Sequence, residues 1–190
     1  MARPSCKDLI IDAAERVVRE EGGARLTLDA VAEKAGVSKG GVLYHFPNKE
    51  ALVEGMLSRL LERSLARKDQ TVAEMPPCRG RQIKGEILAM LVAREKDDKV
   101  ASAILAAVAN EPRLMCSVLD FHRARFEAHE PDAPGWERRA LTLLAADGLF
   151  FLELLQVSPF TEEQRKALIN ELLQMAEEVS SAPAPDAHTA

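Results

Sequence analysis

An all-α chain of about nine helices arranged in two domains is predicted by three observations. Apolar residues recur with the 3.6-residue period of a helix along most of the 190 residues. No stretch alternates apolar and polar residues as a half-buried strand would. Capping residues and Gly or Pro breakers cut the periodic stretches into segments of helical length. At 47% apolar residues, such helices have enough to bury against one another.

Ser5, with Asp8 three residues on, starts the first helix in the manner of a capping box. Ile10, Ala13, Ala14 and Val17 then share one face until Gly22-Gly23 ends it. Thr27 caps a short second helix whose Leu28, Val31, Ala32 and Ala35 face inward and which stops at Gly36. Ser38 caps a third helix. Pro47 turns Phe46 away from helical geometry, and Asn48 caps a long fourth helix, roughly 48–74, with Val53, Met56, Leu57, Leu60 and Leu61 on its buried side. The breaker cluster MPPCRG follows. Five more helices are expected at roughly 81–95, 98–110, 112–129, 135–156 and 162–180. The last opens on a T-x-x-Q capping box, Thr161 and Gln164, with Glu162 and Glu163 complementing its dipole. Leu168, Ile169, Leu172, Ala176 and Val179 form its stripe.

Residues 1–50 therefore read as one domain and 51–180 as a second, joined by the fourth helix, with 181–190 a Pro-containing disordered tail. No internal repeat is present. Net charge is −5, and because residues 1–50 hold equal numbers of acids and bases, the whole acidic excess lies after them. Charge by itself gives no reason to expect nucleic acid. Cys6, Cys78 and Cys116 have neither C-x-x-C spacing nor an even count, which fits a reduced, cytoplasmic setting and no disulfide framework. The N-terminus lacks the apolar core of a signal peptide, and ALTLLAADGLFFLELL is too short for a membrane span and carries Asp147.

Function concentrates in VSKGGVLYHFPNK. Two short helices joined by Gly36-Val37-Ser38, behind a longer one, make the helix-turn-helix pattern, whose second helix enters the major groove. Thr27 and Ser38 offer hydroxyls and helix N-termini to phosphate. Lys39 can reach a guanine edge or a phosphate, Tyr44 and His45 have polar tips for phosphate oxygens, and Lys49 sits beside another helix start. Val42, Leu43 and Phe46 are assigned to the buried side. Gly40 and Gly41 are poor helix formers, each costing about 0.5–1 kcal/mol against Ala. Either their bare backbone lets the helix approach DNA closely, or the first turn is loose and orders only on DNA.

The run from IIDAAERVVREEGG through LTLDAVAEKAGVSKGGVLYHFPNKEALVEGML resembles the DNA-binding domain of the TetR (tetracycline repressor) family of bacterial regulators. The A-G-V-S turn at Ala35 to Ser38, Lys39-Gly40 after it, and the H-F-x-x-K-E of His45 to Glu50 occur at the family's spacing. The family commonly has a tyrosine where this chain has Leu43, and a Leu-Phe pair where it has Val17-Val18. What the resemblance implies is a repressor that binds a palindromic operator as a homodimer through its last two helices and is released by a small-molecule effector moving the fourth helix. ALTLLAADGLFFLELL, apolar on more than one face, suits that dimer.

Arg94, Phe121, His122, Arg125 and Trp136 are the candidates for effector contact, although an ordinary surface or interface role is the commoner fate of such residues. Phe121, Phe126, Phe150 and Phe151 read as core, Cys116 as a small buried residue, and Asp147 as a group that meets a partner across the dimer or else points into a cavity, with the partner favoured. His122 and His129 lack the spacing of a helical metal site, and no metal or cofactor is expected. Two rivals are a helix-turn-helix scaffold that binds protein instead of DNA, and a helical-bundle enzyme. Against the enzyme stands the absence of G-x-S-x-G, a P-loop or a dinucleotide fingerprint.

Overall fold

The structure, a computed structural model, describes residues 5–93, 98–129 and 134–179. The expected tail at 181–190 and Arg94 lie outside the described residues. Among those residues all regular structure is helical: α1 (Cys6–Glu21), a 3₁₀ turn (Gly23–Arg25), α2 (Leu28–Ala35), α3 (Lys39–His45), α4 (Lys49–Glu74), α5 (Arg81–Leu91), α6 (Asp98–Asn110), α7 (Pro112–Glu127), α8 (Trp136–Leu154) and α9 (Glu162–Glu178). The local signals act where the sequence puts them. Ser5 accepts from the Asp8 N–H, and Thr161 and Gln164 form the reciprocal capping box.

The chain forms two compact units, Met1–Glu62 with Glu95–Leu119, and Arg63–Arg94 with Asp120–Ala190. In the first, Ile10, Ala13, Ala14, Val17 and Val18 of α1 meet Val31 and Ala32 of α2, Val42 of α3, and Leu52, Val53, Met56 and Leu57 of α4. Val100, Ile104 and Val108 of α6 complete this core, so a segment well beyond α4 in the chain returns to it. Lys99 donates to the Arg19 carbonyl at 3.3 Å, satisfying one of the free carbonyls at the end of α1.

The second unit packs Ile83, Ile87 and Leu91 of α5 against Leu143, Ala146 and Leu149 of α8 and Ile169, Leu172 and Ala176 of α9. Lys84 donates to Glu177 at 2.6 Å, and Arg165 donates to the Leu91 carbonyl at 2.6 Å. Of the α9 stripe, Leu168 is exposed, facing away from the side that Ile169 and Leu172 bury. Two expectations need correcting. Phe151 is exposed for the same reason on α8, where Leu149 and Leu154 take the buried side, while Phe126 and Phe150 only flank the core. Cys116 is exposed, since Leu114 is the residue of that turn of α7 that is buried.

Ile104→Ala removes a buried side chain from the first unit and leaves a cavity beneath α1. We expect a loss of about 2–5 kcal/mol, read as faster hydrogen exchange of α1 and α2 amides in the full chain. Unchanged protection there would contradict the packing of α6 in that core.

Candidate nucleic-acid interface

Residues 27–51 are built by four local devices. Thr27 accepts from the Ala30 N–H and starts α2, in whose first turn Asp29 suits the helix dipole. Gly36 ends it in the left-handed region, φ 69° and ψ 31°, a geometry glycine adopts without steric cost. The Gly36 and Val37 N–H groups then take up the last α2 carbonyls, with Arg16 of α1 donating to the Lys34 carbonyl at 3.1 Å. Ser38 accepts from the Gly41 N–H at 3.1 Å and starts α3, Phe46 is extended before Pro47, and Asn48 caps α4 through the Ala51 N–H at 2.8 Å.

α3 is thereby held by one face. Val42 is fully buried and Phe46 nearly so, both in the core of the first unit. Lys39, Gly40, Leu43 and Tyr44, at i, i+1, i+4 and i+5, are exposed. Leu43 is therefore not part of the buried side as the sequence suggested. At 39% exposure it shares the outer face with Tyr44, which is 84% exposed, because the core reaches α3 only along the line of Val42 and Phe46. His45 is half-buried and meets the Tyr44 ring edge-on, centroids 5.0 Å apart. Thr27, Ser38 and Lys49 are exposed.

Neither glycine of α3 is demanded by the protein itself. Both have ordinary negative φ, and a Cβ on Gly40 would meet nothing nearer than the Ser38 Oγ at 3.9 Å. On Gly41 the nearest atom would be that same Oγ at 3.4 Å, an ordinary contact. Lys39 is not idle, since its Nζ lies 2.9 Å from Asp29 on α2. Both groups are exposed, so the pair orients Lys39 without contributing much stability.

The candidates for effector contact fall apart into two groups. Phe121, His122 and Arg125 lie together on α7, whereas Trp136 is an exposed first residue of α8 and Arg94 lies outside the described residues. Arg125, its side chain only 7% exposed, donates through Nε to Glu86 and through Nη1 to both Asp147 oxygens, at 2.9 and 2.7 Å. The partner of Asp147 is thus Arg125 of its own chain, which corrects the expectation of one across a dimer. His129 Nε2 reaches the second Glu86 oxygen at 3.1 Å and Lys68 of α4 reaches it at 3.2 Å. Burial pushes the Glu86 carboxyl up, but the His129 hydrogen bond and the charges of Arg125 and Lys68 more than offset it, leaving a pKa of about 2. Burial and the Arg125 charge hold the His122 imidazole below its ordinary value. Among the described residues no group of three or more His, Cys, Asp or Glu is placed to hold a metal ion.

Residues 10–56 match the family described as bacterial regulatory proteins, tetR family, and residues 80–177 match the tetracyclin repressor-like, C-terminal domain. The chain belongs to the TetR family. Both matches are to regulators, not to enzymes. The HTH-type transcriptional regulator TtgR of Pseudomonas putida is 44% identical over 70 residues, 36% of this chain and 33% of that protein. The match thus spans about a third of the relative's length. A transcriptional regulator from Rhodococcus sp. Rha1 superposes with a TM-score of 0.72 at 22% identity, covering 94% of this chain and 100% of its own. A multidrug binding protein, EbrR, solved with imidazole, does so at 0.66 and 22%, covering 96% and 99%. At such identity these two likenesses establish the TetR-type fold.

Sequence reasoning missed Asp29 and Arg59. Arg59 of α4 donates to the Asp8 carbonyl and carboxylate, at 3.1 and 3.0 Å, and to the Asp12 carboxylate, pinning α4 to α1. A signal was available in Asp8, Asp12 and Glu15, an acidic stripe at helical spacing, which calls for a cation on the facing helix. Glu86 was missed too, although a carboxylate between Ile83 and Ile87 on a buried helix face requires a partner.

The lowered Glu86 pKa fixes the sign of a pH effect. Its ionisation stabilises the fold fully above the ordinary value of 4.5, and that contribution disappears as pH falls through about 2. In urea titrations followed by Trp136 fluorescence, the full chain should lose about 3 kcal/mol more between pH 5 and pH 2 than Glu86→Gln does. Parallel curves would refute the ion-pair assignment.

Proposed function

We propose that this TetR-family chain is a repressor that binds a palindromic operator as a homodimer in the cytoplasm and is released by a small-molecule effector. The observation that carries the DNA reading is the outward face of α3. A short helix is anchored by Val42 and Phe46 while Lys39, Gly40 and Tyr44 stand free of the core, with the Thr27 and Ser38 hydroxyls and Lys49 at the neighbouring helix starts. Gly40 and Gly41 fit close backbone approach, since no atom of the protein requires the absence of their side chains.

The dimer reading is supported by α8. Leu141, Leu144, Gly148, Phe151 and Leu155 follow one another at the a and d spacing of a heptad, and all are exposed. A Cβ on Gly148 would meet nothing within 4 Å, so that side of the helix is open to a second copy. α9 adds Leu168, its Ile169, Leu172, Leu173, Met175 and Ala176 being used inside the chain. For the effector, Phe121, His122 and Arg125 supply an aromatic face, an imidazole held below its ordinary pKa by burial, and a buried guanidinium close together on α7. That a multidrug binding protein shares the fold supports a small-molecule ligand. Trp136 and Arg94 stay in the candidate set, outside this cluster.

Selection of bound duplex from a random pool by the full chain should return a palindrome whose half-sites are centred about 34–36 Å apart. Recovery of non-palindromic sequences, or of none, would refute the proposal, and a protein-binding scaffold would also lack the steep salt dependence that phosphate contacts impose. Gly40→Ala separates fold from function. It should raise stability by about 0.5–1 kcal/mol while weakening operator binding, compared by thermal unfolding and gel shift. A variant both more stable and equally tight would remove the close-approach role.

A further inference from the structure

We propose that Leu43 reads the 5-methyl group of a thymine in each operator half-site. The inference rests on the operator-binding reading and gives it a base preference. On α3 the core is served by Val42 and Phe46, yet Leu43 keeps 39% of its surface in water on the face that carries Lys39, Gly40 and Tyr44. Leu43 lies one helical turn beyond Lys39 and three residues beyond Gly40, so the cation, the bare backbone and the isobutyl group form one continuous edge.

A leucine side chain neither donates nor accepts a hydrogen bond, so it cannot tell guanine from adenine by their donor and acceptor patterns. One base-edge feature of the major groove rewards it, the thymine methyl, because contact removes two apolar groups from water together. Close approach of the backbone at Gly40, where a side chain would otherwise stand between helix and groove, brings this short side chain within reach. One helical turn rises about 5.4 Å and base pairs follow every 3.4 Å or so, which puts the thymine about one or two base pairs from the group met by Lys39. Asp29, 2.9 Å from Lys39, orients that side chain along the same edge in the unbound protein.

The test uses the full chain and the operator recovered from the random pool, with each thymine replaced in turn by deoxyuridine, which lacks only the methyl. Wild type should lose affinity about fourfold for each contacted methyl removed, hence about fifteenfold when that thymine is replaced in both half-sites, and be indifferent to the others. Leu43→Ala should bind the thymine operator more weakly, keep the wild-type circular dichroism, and show no difference between thymine and uracil at that position. A flat uracil scan with wild type, or a penalty that persists in Leu43→Ala, overturns the assignment while leaving operator binding intact. Failure to recover any operator would bring down the DNA reading itself and this inference with it.

Discussion

The face that the first unit offers to DNA in the proposed reading depends on how a helix of seven residues with two glycines is kept folded. Isolated helices of that length are unstable in water, and Gly40 and Gly41 make α3 weaker still. Its stability therefore comes from outside. Ser38 and Phe46 fix the two ends, and Val42 and Phe46 fasten one side to a core built by α1, α2, α4 and α6. A helix held by one face in this way must leave the other bare, and the bare face is the one proposed to meet DNA.

What the sequence disclosed and what it concealed divide by the range of the interaction. Ser5, Thr27, Gly36, Ser38, Asn48 and the Thr161–Gln164 box act on residues two to four positions away, so each could be read in place and each appears as expected. The outer face of α3 was legible in part. Tyr44 and Lys39 stood out by type, whereas Leu43 was assigned to the core because apolar type outweighed a helical phase that only the position of Val42 settles. The return of α6 to α1, the Arg59 contacts and the Glu86–Arg125–Asp147 cluster join residues 22 or more positions apart, and period and capping carry no information about such pairs.

The buried cluster of the second unit obeys a stricter constraint than the surface pairs of the first. Glu86 and Arg125 have lost nearly all contact with water, so each charge must be answered locally, and the answers come from α4, α5, α7 and α8 at once. Removing one partner leaves an uncompensated charge in a dry site, which makes the cluster costly to disturb and specific in its geometry. A ligand that drew Arg125 Nε or His129 away would have to replace their bonds to Glu86, and Lys68 places α4 among the helices that would register the change.

Charge compensation also shapes the way in which the proposed interface would discriminate. Lys39 is engaged with Asp29, Lys34 with Glu20, and Arg59 with Asp8 and Asp12, so much of the positive charge in the first unit is answered within it. For such a surface to meet phosphates, internal pairs would have to be exchanged, which would lower the net gain from sequence-independent contacts while leaving binding salt-dependent. Discrimination among sequences would then rest on short-range complementarity: close backbone approach at Gly40, the Tyr44 hydroxyl and the proposed apolar contact of Leu43. Such terms decay within an ångström or two, unlike Coulombic attraction. A regulator relying on them loses its operator on a small displacement of α3, and a modest effector energy, about 1–3 kcal/mol, is then sufficient to switch it.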